Sequence, residues 1–116
     1  MPEAKIAMTV REPATGYRII DIDGEMTGFS EPVLAEAYEE ANRPGVHTII
    51  LNFDQLEYMN SAGIGLVVTI LIRAQRHNQR LAAFGLSDHY REIFSLTRLD
   101  EAIGIYQDEA AALAAP

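Results

Sequence analysis

Between Lys5 and Arg11 the chain alternates, with Ile6, Met8 and Val10 set against Lys5, Ala7, Thr9 and Arg11. That period of two belongs to a strand with one face buried. The turn residues Glu12-Pro13-Ala14-Thr15-Gly16 precede a second strand, Tyr17 to Asp23, so the chain opens on a hairpin. The period then lengthens: Val33, Leu34, Ala37, Tyr38 and Ala41 fall at helical spacing. Ser30 stands at the capping position before Glu31 and Pro32, and Asn42-Arg43-Pro44-Gly45 stops a helix predicted over 31–42. Val46 to Phe53, VHTIILNF, is β-branched and almost continuously apolar. Such a run suits a strand covered on both faces, the centre of a sheet.

From Ala62 to His77 the pattern is helical again, apolar nearly all round before it opens into Arg73, Gln75, Arg76 and His77, where basic residues suit the helix dipole. Leu81 to Gly85 reads as a short strand, and Asp88 to Phe94 as a short helix capped by Ser87. Ile103 to Tyr106 is a further strand and Asp108 to Leu113 a closing helix. The order ββαβαβαβα predicts an α/β fold. Its sheet is mixed but mostly parallel, the hairpin supplying one antiparallel strand, with four helices against it. No linker or repeat divides the 116 residues, so a single domain is expected over 1–116 with its core at about 5–113.

Charge narrows the function. With 17 acidic against 9 basic residues the chain carries a net charge of -8, which repels both a phosphate backbone and an anionic membrane face. Nucleic acid is therefore not an expected partner. The absence of cysteine excludes a disulfide framework, a thiolate zinc site and a catalytic thiol. The longest apolar run, Ile64 to Ile72, falls far short of the ~20 residues that span a bilayer, and the amino-terminal MPEAKIAMTV has no signal-peptide pattern. A cytoplasmic protein without membrane insertion is expected.

The stretch Tyr58 to Val67, YMNSAGIGLV, holds the candidate chemistry. As a nucleophile elbow it lacks the first glycine, where Met59 stands, and the neighbouring Asp88 and His89 cannot both serve Ser61 in a relay. As a dinucleotide fingerprint it fails at Val68, and as a phosphate-binding loop it has no lysine. Asp21, Asp23 and Glu25 start like a calcium loop, but its twelfth position is Pro32; they read as carboxylates on the wet face of a strand. His47, His77 and His89 lack metal-ligand spacing. No cofactor or metal is expected. Two readings of Ser61 stay open: a helix cap, or an acceptor of phosphate, which a helix amino terminus stabilises. Gly63 and Gly65 would leave the approach to it uncrowded.

Taken together, the GEMT stretch (Gly24, Glu25, Met26, Thr27), the strand VHTIILNF and the run Asn60-Ser61-Ala62-Gly63-Ile64-Gly65 resemble the STAS domains of bacterial anti-sigma factor antagonists. That family has G-E-L-D and D-S-[ST]-G-[LI]-G at these places. The resemblance implies a non-enzymatic binding module. Unphosphorylated, it binds an anti-sigma factor with serine kinase activity; phosphorylation of Ser61 releases it, and a PP2C-type phosphatase resets it. It also implies a contact surface built from the loop Gly24 to Ser30, with Glu25 and Thr27, from Asn60, Ser61, Ala62, Gly63, Ile64 and Gly65, and from the exposed side of the early second helix. Asn60 and Thr27 replace the family's two aspartates, and Ala62 leaves Ser61 without a neighbouring hydroxyl. The same fold also serves as a constitutive scaffold, as a subunit of transporters or stress-signalling assemblies, or as a nucleotide- or lipid-binding module. A homodimer stays open.

Overall fold

The structure is a computed structural model and describes residues 5–115. It runs β1 (Ile6–Arg11), β2 (Tyr17–Met26), α1 (Glu31–Ala41), β3 (Thr48–Met59), α2 (Ser61–Arg76), β4 (Arg80–Phe84), α3 (Asp88–Leu96), β5 (Gly104–Tyr106) and α4 (Glu109–Ala114). Short 3-10 turns at Gly28–Ser30 and Leu99–Glu101 precede α1 and β5. The order of elements is the one the pattern predicts. The strands form one sheet in the order β1-β2-β3-β4-β5, antiparallel between β1 and β2 and parallel elsewhere.

The sheet has two unequal faces. On the front, α1, α2 and α3 close the larger core, where Leu34 and Tyr38 of α1, Val67 and Ile70 of α2 and Phe94 of α3 meet Ile20, Ile49 and Leu51. Each large apolar side chain so buried contributes about 1.5–3 kcal/mol. On the back, α4 alone packs through Ala112 and Leu113 onto Ile19, Ile50, Ala82 and Phe84. The run Ile49-Ile50-Leu51 is fully buried because its residues alternate between these two cores. The hydroxyl of the buried Tyr38 is satisfied by donating to Gln79 Oε1 at 2.7 Å, and Gln79 Nε2 donates to Asn42 Oδ1 at 2.7 Å.

The main departure from the pattern is the length of β2 and β3. Both were expected to end at residues 23 and 53, yet they continue in parallel register to Met26 and Met59, which pair with each other. Register shifts between Asp21 and Asp23 and between Gly24 and Glu25 break the alternation over this extension. Gly24 sits there at φ 117°, where an added Cβ would collide with the carbonyl oxygen of Lys5, just before β1. The GEM of GEMT is therefore strand, not loop.

Asp21 is also not simply a wet carboxylate. It accepts from Arg11 Nε at 2.6 Å and from Asn52 Nδ2 at 2.7 Å, while Arg11 also reaches Glu109 of α4 at 2.9 Å. Burial would raise the Asp21 pKa, but the bonds from Arg11 and Asn52 and the Arg11 charge hold it below the ordinary carboxylate value.

Candidate functional site

Parallel register brings the two motifs together. Because Met26 pairs with Met59, the residues after each strand leave the same edge side by side, and Asn60 N donates to Met26 O at 3.2 Å. After β2 the chain enters the 3-10 turn Gly28–Ser30; after β3 it enters α2 directly.

The cap of α2 is Asn60, not Ser61. Asn60 has extended backbone at φ -97° and its Oδ1 accepts from Gly63 N at 2.9 Å, the geometry of an N-cap side chain. Ser61 is the first helical residue, exposed, and no hydrogen bond to its hydroxyl forms among the described residues. Its neighbours Ala62 and Gly65 are exposed and Ile64 half-buried, and from Ser61 to Ile72 the helix carries no charge. Gly63 differs. It is buried, and a Cβ there would strike the Met26 carbonyl oxygen and the Met59 side chain, whereas one at Gly65 would meet open space. Only Gly65 leaves the approach uncrowded, then, and Gly63 is a packing glycine that lets α2 lie on the end of β2. Gly24 and Gly63, both expected among the contact residues, are buried.

The turn on the β2 side is held rigidly. Thr27 Oγ1 accepts from Phe29 N at 3.2 Å, and Thr27 N donates to Ser30 Oγ at 2.9 Å. The Ser30 hydroxyl in turn donates to Glu25 O at 3.1 Å. Ser30, expected to cap α1, occupies the capping position but makes no cap bond; its fully buried hydroxyl closes this turn instead.

A STAS-domain profile matches residues 5–112. The chain belongs to the STAS domain family. It is 28% identical over 82 residues to the anti-sigma-B factor antagonist of Staphylococcus aureus, covering 71% of this chain and 76% of that protein. Its fold resembles that of an anti-sigma factor antagonist from Mycobacterium paratuberculosis, with a TM-score of 0.78 at 18% identity, covering 93% of this chain and 91% of the other. The Bacillus cell fate determinant SpoIIAA in its phosphorylated form matches with a TM-score of 0.65 at 23% identity, over 91% of this chain and 96% of that one.

Within the STAS frame the two departures from the family motif share a physical logic. Asn60 and Thr27, the two positions that depart from the motif the sequence resembles, each supply a side-chain oxygen that accepts a backbone N–H, from Gly63 and from Phe29. Aspartate, asparagine and threonine are all capping residues. An aspartate at either position would offer the same acceptor with a negative charge added.

Two features of the STAS surface have no signature in the sequence. Tyr90 of α3 accepts from Met59 N at 2.8 Å through its hydroxyl, fixing the end of β3 beside Asn60. Phe29, 59% exposed, projects from the rigid 3-10 turn, and Gly28 of that turn faces Ala62. Only the fold could bring Tyr90 to the end of β3, or the turn that carries Phe29 to the start of α2. Among the described residues no group of three His, Cys, Asp or Glu gathers to hold a metal ion, and no helix is long and apolar enough to cross a membrane.

Proposed function

We propose that this STAS domain is a cytoplasmic anti-sigma factor antagonist switched by phosphorylation of Ser61. Unmodified, it binds an anti-sigma factor that is also a serine kinase; modified, it is released, and a PP2C-type phosphatase restores it. The observation that carries this reading is the division of labour at the start of α2: Asn60 makes the cap bond, leaving the exposed Ser61 hydroxyl uncommitted. An acceptor already used as a cap would have to give up that bond before transfer. The names of the relatives support the anti-sigma part of the proposal.

Physical chemistry supports the switch. A phosphate on Ser61 would lie at a helix amino terminus, where the orphan N–H groups stabilise it. It also adds about -1.5 to -2 charge to an uncharged stretch of helix in a chain already at -8. Charge-poor centres and exposed aromatics are typical of binding interfaces; here Ser61, Ala62 and Gly65 are exposed and uncharged, and the exposed Phe29 follows Gly28, which approaches Ala62. Desolvating a new charge at such a centre opposes binding without any change of fold. Loss of a complementary contact costs about 2–5 kcal/mol, or roughly thirty-fold to several-thousand-fold in affinity.

Incubation with the cognate kinase-type anti-sigma factor and ATP, followed by mass spectrometric mapping, tests the proposal. A single phosphate on Ser61 is expected. Phosphate elsewhere, or none, rules the switch out.

A further inference from the structure

Strand β1 is an edge of the sheet; among the described residues it pairs only with β2. Its register shows which backbone groups are committed. Glu25 N donates to Lys5 O at 2.8 Å, so Lys5 and Glu25 form a bonded pair. By the alternation of an antiparallel ladder, Ala7, Thr9 and Arg11 also turn their N–H and C=O groups toward β2. Ile6, Met8 and Val10 turn theirs off the sheet.

Sheets usually guard such an edge with a proline, a mid-strand charge or a bulge. From Ile6 to Val10, β1 has no proline and no charge, and its register with β2 runs without a shift. Of the cations that flank this run, Arg11 is drawn away into Asp21 and Glu109, and Lys5 stands before the strand, in phase with Ala7 and Thr9 on the opposite face from Met8 and Val10. Beside the open edge, a groove of about 150 Å³ runs between β1 and α1, lined by Met8, Val10, Val33 and Ala37 and by the exposed carboxylates of Glu36 and Glu40. These two glutamates are one helical turn apart, a spacing at which like charges repel. Among the described residues neither forms a salt bridge.

We propose that the β1 edge docks an extended protein segment with lysine or arginine at every second position, added to the sheet as a further strand. Its backbone bonds the free groups of Ile6, Met8 and Val10. The methylene stems of its basic residues lie over Met8, Val10 and Val33 while their charged heads reach Glu36 and Glu40. The intervening residues face the small, exposed Ala7 and Thr9 on the back of the sheet. A second copy of this chain fits less well, because two-fold pairing along β1 would bring two Glu36–Glu40 rims together. This edge is separate from Ser61, which leaves the sheet at the end of β3.

The test is titration of the full chain with a ten-residue peptide of alternating lysine and valine, followed by amide hydrogen exchange. Slowed exchange is expected at Ile6, Met8 and Val10, and binding at least about ten-fold weaker in the E36K/E40K double variant with unchanged thermal melting. A matching glutamate–valine peptide is expected not to bind. The proposal is overturned by protection elsewhere, by no binding, or by affinity indifferent to the charge reversal. Protection of the same amides by the protein's own concentration, without peptide, would assign the edge to a second copy and equally overturn it.

Discussion

Ser61 and Asn60 are neighbours with separable duties, and substitution distinguishes them. Asn60→Ala removes the bond to Gly63 N and is expected to cost about 1 kcal/mol. Asn60→Asp keeps a capping oxygen, and Ser61→Ala touches an exposed side chain; each is expected to stay within about 0.5 kcal/mol of the parent. Urea denaturation of the three variants measures this. A Ser61→Ala cost equal to that of Asn60→Ala would return the cap to the serine. Serine and asparagine both cap helices, so the adjacent pair Asn60-Ser61 could not be resolved from residue type alone. Asn60's extended φ and its short bond to Gly63 resolve it.

Opposite effects are expected from the two glycines of α2. Gly63→Ala forces a methyl against the Met26 carbonyl and the Met59 side chain, an overpacking of about 1–3 kcal/mol that outweighs the gain in helix propensity. Gly65→Ala enters open space and is expected to stabilise by about 0.5–1 kcal/mol. Thermal melting of both variants reads the sign directly. Element type and order were legible in the sequence because the hydrophobic period changes cleanly at each boundary, as between Val10 and Val33. The far ends of β2 and β3 were not. In Asp54 to Met59 the run DQLEYM loses its alternation because bulges shift the register, and only pairing with β2 keeps it extended. Those few residues bring the ends of the two motifs side by side, and they carry Met59 to the hydroxyl of Tyr90.

Across the whole molecule, acid stability depends on the cluster that joins β1, β2, β3 and α4 through Arg11, Asp21, Asn52 and Glu109. The Asp21 pKa is lowered in the fold, so the native state binds that proton less readily than the unfolded chain. Its contribution is complete above the usual carboxylate value of about 3.9 and is lost as the pH falls through the lowered native value. Asp21→Asn is therefore expected to destabilise at pH 7, with a deficit that shrinks as the pH falls below about 4 toward the lowered native value. Urea midpoints at the two pH values test this, and a difference that does not shrink in acid would contradict it. In the proposed switch one charge at Ser61 governs binding, and calorimetric titration of the kinase-type anti-sigma factor with the parent protein, Ser61→Ala and Ser61→Asp reads that charge directly. Tight binding by the first two and at least about thirty-fold weaker binding by Ser61→Asp, with equal melting temperatures, is the predicted result; equal affinity for Ser61→Asp and the parent would contradict the account.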